Sequence, residues 1–194
     1  MSTPTRSADP RGKLSRQQRN MMLVVHIAVS VAWLGVSLVI LTLAITASTT
    51  DSRTSAHSAY WAMHLLAQVL VIPLSLSVLA IGIAVGLGTS WGLLRYRWVV
   101  IKLSLTAIAV GLSLLALPAQ TGSALRASGP DGDLSAMHSA GINLIIAASV
   151  SIILYLALTT LSVFKPWGRT ARGSRHAAQQ QPPSKPYKIG RTTR

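Results

Sequence analysis

Four stretches of this chain are too long and too apolar for any solvent but a lipid bilayer. Met21 to Ala47, Tyr60 to Leu87 and His138 to Phe164 contain no Asp, Glu, Lys or Arg, and Trp98 to Pro118 contains only Lys102. They run 27, 28, 27 and 21 residues in that order. Roughly 20 residues cross a ~30 Å hydrocarbon core at ~1.5 Å rise per residue. The runs therefore predict an all-α fold, a four-transmembrane-helix bundle with spans at about 21–47, 60–87, 98–118 and 138–164. Between the second and third lies Trp91-Gly92-Leu93-Leu94-Arg95-Tyr96-Arg97-Trp98, the only short basic and aromatic break between two long apolar runs, read as a tight turn at one membrane face.

Half the residues are apolar and 11% are charged, a ratio that excludes an ordinary soluble domain. The absence of cysteine closes off disulfide frameworks, thiolate metal sites and thiol nucleophiles. A net charge of +14 suggests nucleic acid until it is located. Residues 1–20 carry five basic groups against Asp9, and residues 165–194 carry eight with no acid. Both segments are polar, lack helical periodicity and are expected to be disordered basic tails. No aromatic or folded basic module accompanies the charge, so lipid is expected as its partner and nucleic acid is not.

A basic segment before a first apolar run also describes a secretory signal, but the apolar core of such a signal is usually ~7–15 residues. The first run is far longer and is expected to stay as a span. Residues 48–59 form a short polar loop, Pro73 is expected to kink the second span by removing a backbone donor, and Ala119 to Met137 form a loop turning at Gly129-Pro130-Asp131-Gly132. Of 18 Lys and Arg, 16 fall in the two tails or at Arg95, Arg97 and Lys102, leaving Arg53 and Arg126 in the other two loops. The positive-inside bias then places both termini in the cytoplasm. Tyr60 and Trp61 mark the outer boundary and Trp91, Tyr96, Trp98 and Trp167 the inner one; Trp33 is the exception, deep in the first span.

Polar residues recur at helical spacing within each span: His26, Ser30, Trp33 and Ser37; then His57, Tyr60, His64 and Gln68; then Lys102, Thr106 and Ser113; then Asn143, Ser151, Tyr155 and Thr159. In hydrocarbon these groups need protein partners, so His26, Ser30, Trp33, Gln68 and Asn143 are expected in the bundle interior. Gly82 and Gly86 form a small-xxx-small pair that permits close helix approach. Lys102 is the one charge inside a span. It lies four residues past Trp98, within snorkelling reach of the headgroups, and joins Trp91, Arg95, Arg97 and Trp98 as a cytoplasmic interface anchor.

The second and fourth spans share a tripeptide near their starts, Ala62-Met63-His64 and Ala136-Met137-His138. Histidine beside methionine suits copper(I) or haem iron. His64 and His138 enter from the same face at heights differing by roughly one helical turn, whereas His26 sits at the opposite end of its span. Haem b or copper held by His64 and His138, with Met63 and Met137, is one reading; hydrogen bonding of interfacial histidines to Ser, Gln or headgroups is the other. There is no phosphate loop, zinc-protease motif, nucleophile elbow or acid within any span, so catalysis is not expected.

Ser30-Val31-Ala32-Trp33-Leu34-Gly35 with His26, Ala59-Tyr60-Trp61-Ala62-Met63, Ile72-Pro73-Leu74-Ser75-Leu76 and the stretch from Leu87 to Lys102 resemble an uncharacterised family of actinobacterial multi-pass membrane proteins. The resemblance covers roughly residues 21–118 and is most specific at the Trp-Gly-Leu-x-Arg-x-x-Trp-Val turn. It implies a small protein of the bacterial plasma membrane. More distantly, the His-x(6)-Trp-x-Gly pattern of the first span is similar to copper-resistance D-type membrane domains. The resulting expectation is a structural or accessory membrane component, alone, as a homo-oligomer or with a membrane protein partner; a haem- or copper-binding module and a small permease are the alternatives.

Overall fold

A computed structural model describes residues 15–88 and 96–164. Trp91, Arg95, the first 14 residues and the tail from 165 onward lie outside the described residues. Within them the chain is helical, with no strand: α1 Arg16–Thr49, α2 Arg53–Leu66, a π-helical turn Ala67–Val71, α3 Ile72–Gly88, α4 Arg97–Ala127 and α5 Leu134–Phe164. α2, the π turn and α3 run on as one, so four helices of 34, 35, 31 and 31 residues are long and apolar enough to cross a membrane. At ~1.5 Å per residue each exceeds about 45 Å, longer than the ~30 Å hydrocarbon core alone.

The helices outrun the apolar stretches because hydropathy marks where hydrocarbon lies, whereas caps decide where a helix starts. α1 begins at Arg16, not Met21: Ser15 Oγ accepts from Gln18 N–H at 3.2 Å while Ser15 N–H donates to Gln18 Oε1 at 3.0 Å, a reciprocal capping box. α2 begins at Arg53, not Tyr60, with Ser52 Oγ accepting from Ser55 N–H at 3.3 Å. α5 begins at Leu134, not His138, because the Asp133 carboxylate accepts from the N–H groups of Ser135 (3.2 Å) and Ala136 (3.1 Å). α4 passes Pro118 and continues to Ala127. A proline costs its helix one hydrogen bond and a local clash, and neighbouring helices hold such a break in register.

Pro73 is met differently. Immediately before it the helix widens, Ile72 N–H donating to Ala67 O across the extra residue of a π turn. The wider turn relieves the pressure of the proline ring on the preceding carbonyls. Where the sequence predicts a kink, the structure carries a π-helical turn, Ala67–Val71.

The four rods stand as a ring of neighbours, each packed on two others. α1 packs against α5 and the α2–α3 rod, and α4 packs against the same two; no Cα of α1 lies within 8 Å of α4, and none of α2, the π turn or α3 within 8 Å of α5. The tightest core lies towards the α1–α2 and α4–α5 connections, where Ala44, Ala47, Ala56, Ala59, Tyr60, Met63, Ala124 and Leu144 are buried. Alanine at so many contacts lets backbones approach closely. Gly141 goes further: a Cβ there would meet Ser48 Oγ of α1 and lie 2.7 Å from Tyr60 Oη of α2. Tyr60 Oη donates to Met137 O at 3.4 Å, bridging the α2–α5 diagonal.

Large apolar side chains face outward along every rod, among them Val31, Val39, Val69, Leu112, Ile146 and Ile153. In the most apolar window of each long helix only 11–17% is buried within the protein. Exposed apolar surface on that scale is unsustainable in water. The four helices fit a multi-pass membrane protein.

At the α1–α2 and α4–α5 end the two connections are tied together. Arg53 donates to Pro130 O at 3.3 Å and also to Gly132 O. A Cβ on Gly132 would fall onto the Ala127 carbonyl, so only glycine permits this close turn.

Candidate functional site

Four side-chain pairs join polar groups of different helices, while most other hydroxyls of the spans bond back to carbonyls of their own helix. Along the seam of α2 and α4, His57 Nδ1 lies 3.0 Å from Ser128 Oγ, and His64 Nδ1 lies 3.0 Å from Thr121 Oγ1. The two rungs are seven residues apart on each helix, running in opposite directions, as one face of an antiparallel pair requires. Gln68 Nε2, a donor, sits 2.8 Å from His64 Nε2, so that nitrogen accepts. The proton is then on Nδ1, which donates to Thr121 Oγ1, while the Thr121 hydroxyl donates onward to Leu117 O at 2.9 Å. His57 is arranged alike: Ser128 Oγ donates to Leu125 O at 2.9 Å, leaving its lone pairs to Nδ1–H. Gly122 faces His64 across the seam, where a Cβ would sit in ordinary contact with Cε1 at 3.5 Å.

Both ring nitrogens of His64 are therefore engaged within the α2–α4 seam. His138 is exposed on α5, across the diagonal from α2. Met63 is fully buried in the core, and Met137 packs half-buried against it. The structure does not bring His64 and His138 together: equal depth was legible in the sequence, but adjacency is set by which helices neighbour each other. Among the described residues no cluster of three or more His, Asp or Glu groups could hold a metal ion.

The remaining interior positions divide. Ser37 Oγ of α1 lies 3.3 Å from Ser151 Oγ of α5, and also donates to Trp33 O at 3.0 Å. Ser30 Oγ donates back to His26 O at 2.7 Å, the usual way a serine satisfies itself within a helix. Gln68 is exposed at the edge of the α2–α4 seam, and Asn143 is exposed on α5. The interior face of α5 is taken by Gly141, Leu144 and Ala148, and the ~100° turn per residue carries position 143 away from it. The expectation that Asn143 points inward is corrected accordingly.

At the opposite end, Lys102 Nζ donates to Ser162 Oγ at 2.6 Å, tying α4 to α5. Its amine is turned into the helix junction. Arg97 is exposed and Trp98 half-buried in the first turn of α4. His26 is half-buried, its ring laid over Gly82, where a Cβ would be 3.4 Å from Cε1. Its Nδ1 has no hydrogen-bond partner.

Between α1, α4 and α5 the packing opens into a cavity of about 220 Å³, lined by apolar side chains with Trp33, Ser37, Ser113, Gln120 and Ser151 as its polar members. A second void of about 30 Å³ adjoins it and reaches Tyr155 and Leu158. Gln120 Oε1, at the far end, is buried without a partner. The sequence contains no signal for this cavity beyond the small residues Ala109, Ala147 and Ala148 that leave the space. The chain matches no protein-family model, no curated protein and no solved structure.

Proposed function

We propose that this chain is a non-catalytic structural or accessory component of the bacterial plasma membrane, a four-span bundle with both ends in the cytoplasm. The observation that carries this reading is that titratable and hydroxyl side chains of different spans are spent on one another. His57 with Ser128, His64 with Thr121, Ser37 with Ser151, and Lys102 with Ser162 act as interhelical fastenings. A catalytic or redox centre would instead leave such groups converging on a shared space. The orientation is supported by the Lys and Arg distribution, 16 of 18 of which fall in the segments at one end of the spans.

The test is the visible spectrum and metal content of the full chain purified in mild detergent. A colourless protein without stoichiometric iron or copper, unchanged in His64→Ala, is the expected result. A Soret band, or near-stoichiometric copper lost in His64→Ala, would overturn the reading in favour of a haem- or copper-binding module.

A further inference from the structure

Lys102 is a half-buried cation with no acidic side chain near it among the described residues. The sequence holds four acids, Asp9, Asp51, Asp131 and Asp133, and the last three sit in the two connections at the other end of the helices. Asp131 is 29 residues from Lys102 along a helix and its turn, roughly 40 Å at the helical rise. What Lys102 does have is a neutral hydroxyl, Ser162 Oγ at 2.6 Å. An intramembrane cation is costly unless paired, and among the described residues no acid pairs with this one, which leaves it open to an anion supplied from the bilayer.

The void between α1, α4 and α5 leads towards that amine. The larger and smaller cavities share Trp33, Ser37, Ala109, Ser151 and Leu154 in their walls, so they adjoin, and the smaller reaches Leu158, one helical turn before Ser162. The larger is a groove whose rim includes Leu112 and Val150, 57% and 54% exposed, so it opens sideways onto the surface that faces hydrocarbon. The larger part alone, at about 220 Å³, exceeds the ~150 Å³ that admits a benzene-sized molecule. Residues 102 and 112 are separated by ten residues of α4, about 15 Å, which is the depth of one leaflet's share of a ~30 Å core.

We propose that this groove and the Lys102 amine together hold one anionic phospholipid from the leaflet at the Lys102 end. An acyl chain lies along Trp33, Ala109 and Ser151, and the phosphate accepts from Lys102 Nζ beside Ser162. The chemistry recognised is a phosphate monoanion carrying a long apolar tail. The proposal rests on the spans lying in a bilayer but not on which compartment either end faces.

The test uses the full chain with Trp61, Trp91, Trp98 and Trp167 replaced by Phe, reconstituted in vesicles, so that Trp33 in the groove is the only tryptophan and can be excited selectively over the tyrosines. Brominated phosphatidylglycerol is expected to quench Trp33 more effectively than brominated phosphatidylcholine, with a preference of about fivefold, the size of one lysine–anionic-lipid attraction. Lys102→Gln should bring the preference towards one. Ala109→Leu, which fills the groove where both cavities meet, should lower quenching by both lipids, and Leu115→Ala on the outer face should change nothing. Equal quenching by the two lipids in the parent, or an unaltered preference in Lys102→Gln, overturns the proposal even if Ala109→Leu fails to fold. Loss of the preference on adding millimolar inorganic phosphate would overturn it in favour of a site for the free ion. Failure of the parent chain to partition with membranes would instead sink the membrane reading itself.

Discussion

Replacing Gly141 by alanine puts a methyl group where three helices meet. The added Cβ would meet Ser48 Oγ and stand 2.7 Å from Tyr60 Oη, closer than carbon and oxygen tolerate. Tyr60 is 1% exposed and its hydroxyl is held to Met137 O, so it has nowhere to withdraw. Overpacking of this kind costs about 1–3 kcal/mol, and loss of the Tyr60 bond would add about 1 kcal/mol. Gly35 and Gly111 are the internal comparison, because a Cβ at either meets nothing within 4 Å. In an open helix position Gly→Ala is worth roughly 0.5–1 kcal/mol in the stabilising direction. Unfolding of the detergent-solubilised protein, followed by circular dichroism, should therefore separate Gly141→Ala from Gly35→Ala by about 2–4 kcal/mol. Equal stability of the two would refute the close packing of α1, α2 and α5 on which the core depends.

Other expectations follow from the same contacts. Thr121→Val removes the acceptor of His64 Nδ1–H and should cost about 1 kcal/mol, as interhelical hydrogen bonds in membranes do; a double-mutant cycle with His64→Ala should assign the loss to that pair. The Asp133 carboxyl is held below the usual carboxylate range, chiefly by the hydrogen bond from the Ser135 hydroxyl and then by the N–H groups of Ser135 and Ala136. A lowered native pKa stabilises the fold above the unfolded carboxylate value, about 3.9, and that contribution is lost as pH falls through the lower native value. Asp133→Ala should accordingly destabilise at neutral pH, with the difference from the parent narrowing below about pH 4. Arg53→Ala frees the carbonyls of Pro130 and Gly132 and should speed hydrogen exchange in residues 128–133 without altering the rest of the helices.

The four apolar runs could be read from composition alone because hydrocarbon acts on every residue of a span. Which helices adjoin could not, and this is where His64 and His138 part: similar depth at one face does not make neighbours of helices on a diagonal. The actual partners of the histidines were hidden by Pro118. Ending the third span there placed Thr121 and Ser128 in a loop, yet α4 runs on to Ala127 and brings both opposite α2. A signal was present in the matched seven-residue spacing of His57 with His64 and Thr121 with Ser128. Asn143 shows the limit of polarity as a guide, since the small Gly141 and the fully buried Leu144 decide which face of α5 turns inward. The helix start at Ser15 was open to reading, as a serine followed three residues later by Gln18, the capping-box pattern, but apolar periodicity does not report caps.

The absence of cysteine gives a clean background for locating the connections relative to the bilayer. Single cysteines at Ser7, Thr50, Asp131 and Ser184, labelled in intact cells with a membrane-impermeant maleimide, address the topology directly. Labelling at 50 and 131 before lysis, and at 7 and 184 only after it, is the predicted outcome. Labelling that put 7 and 184 on opposite sides, or that exposed both to the outside while protecting 50 and 131, would contradict it.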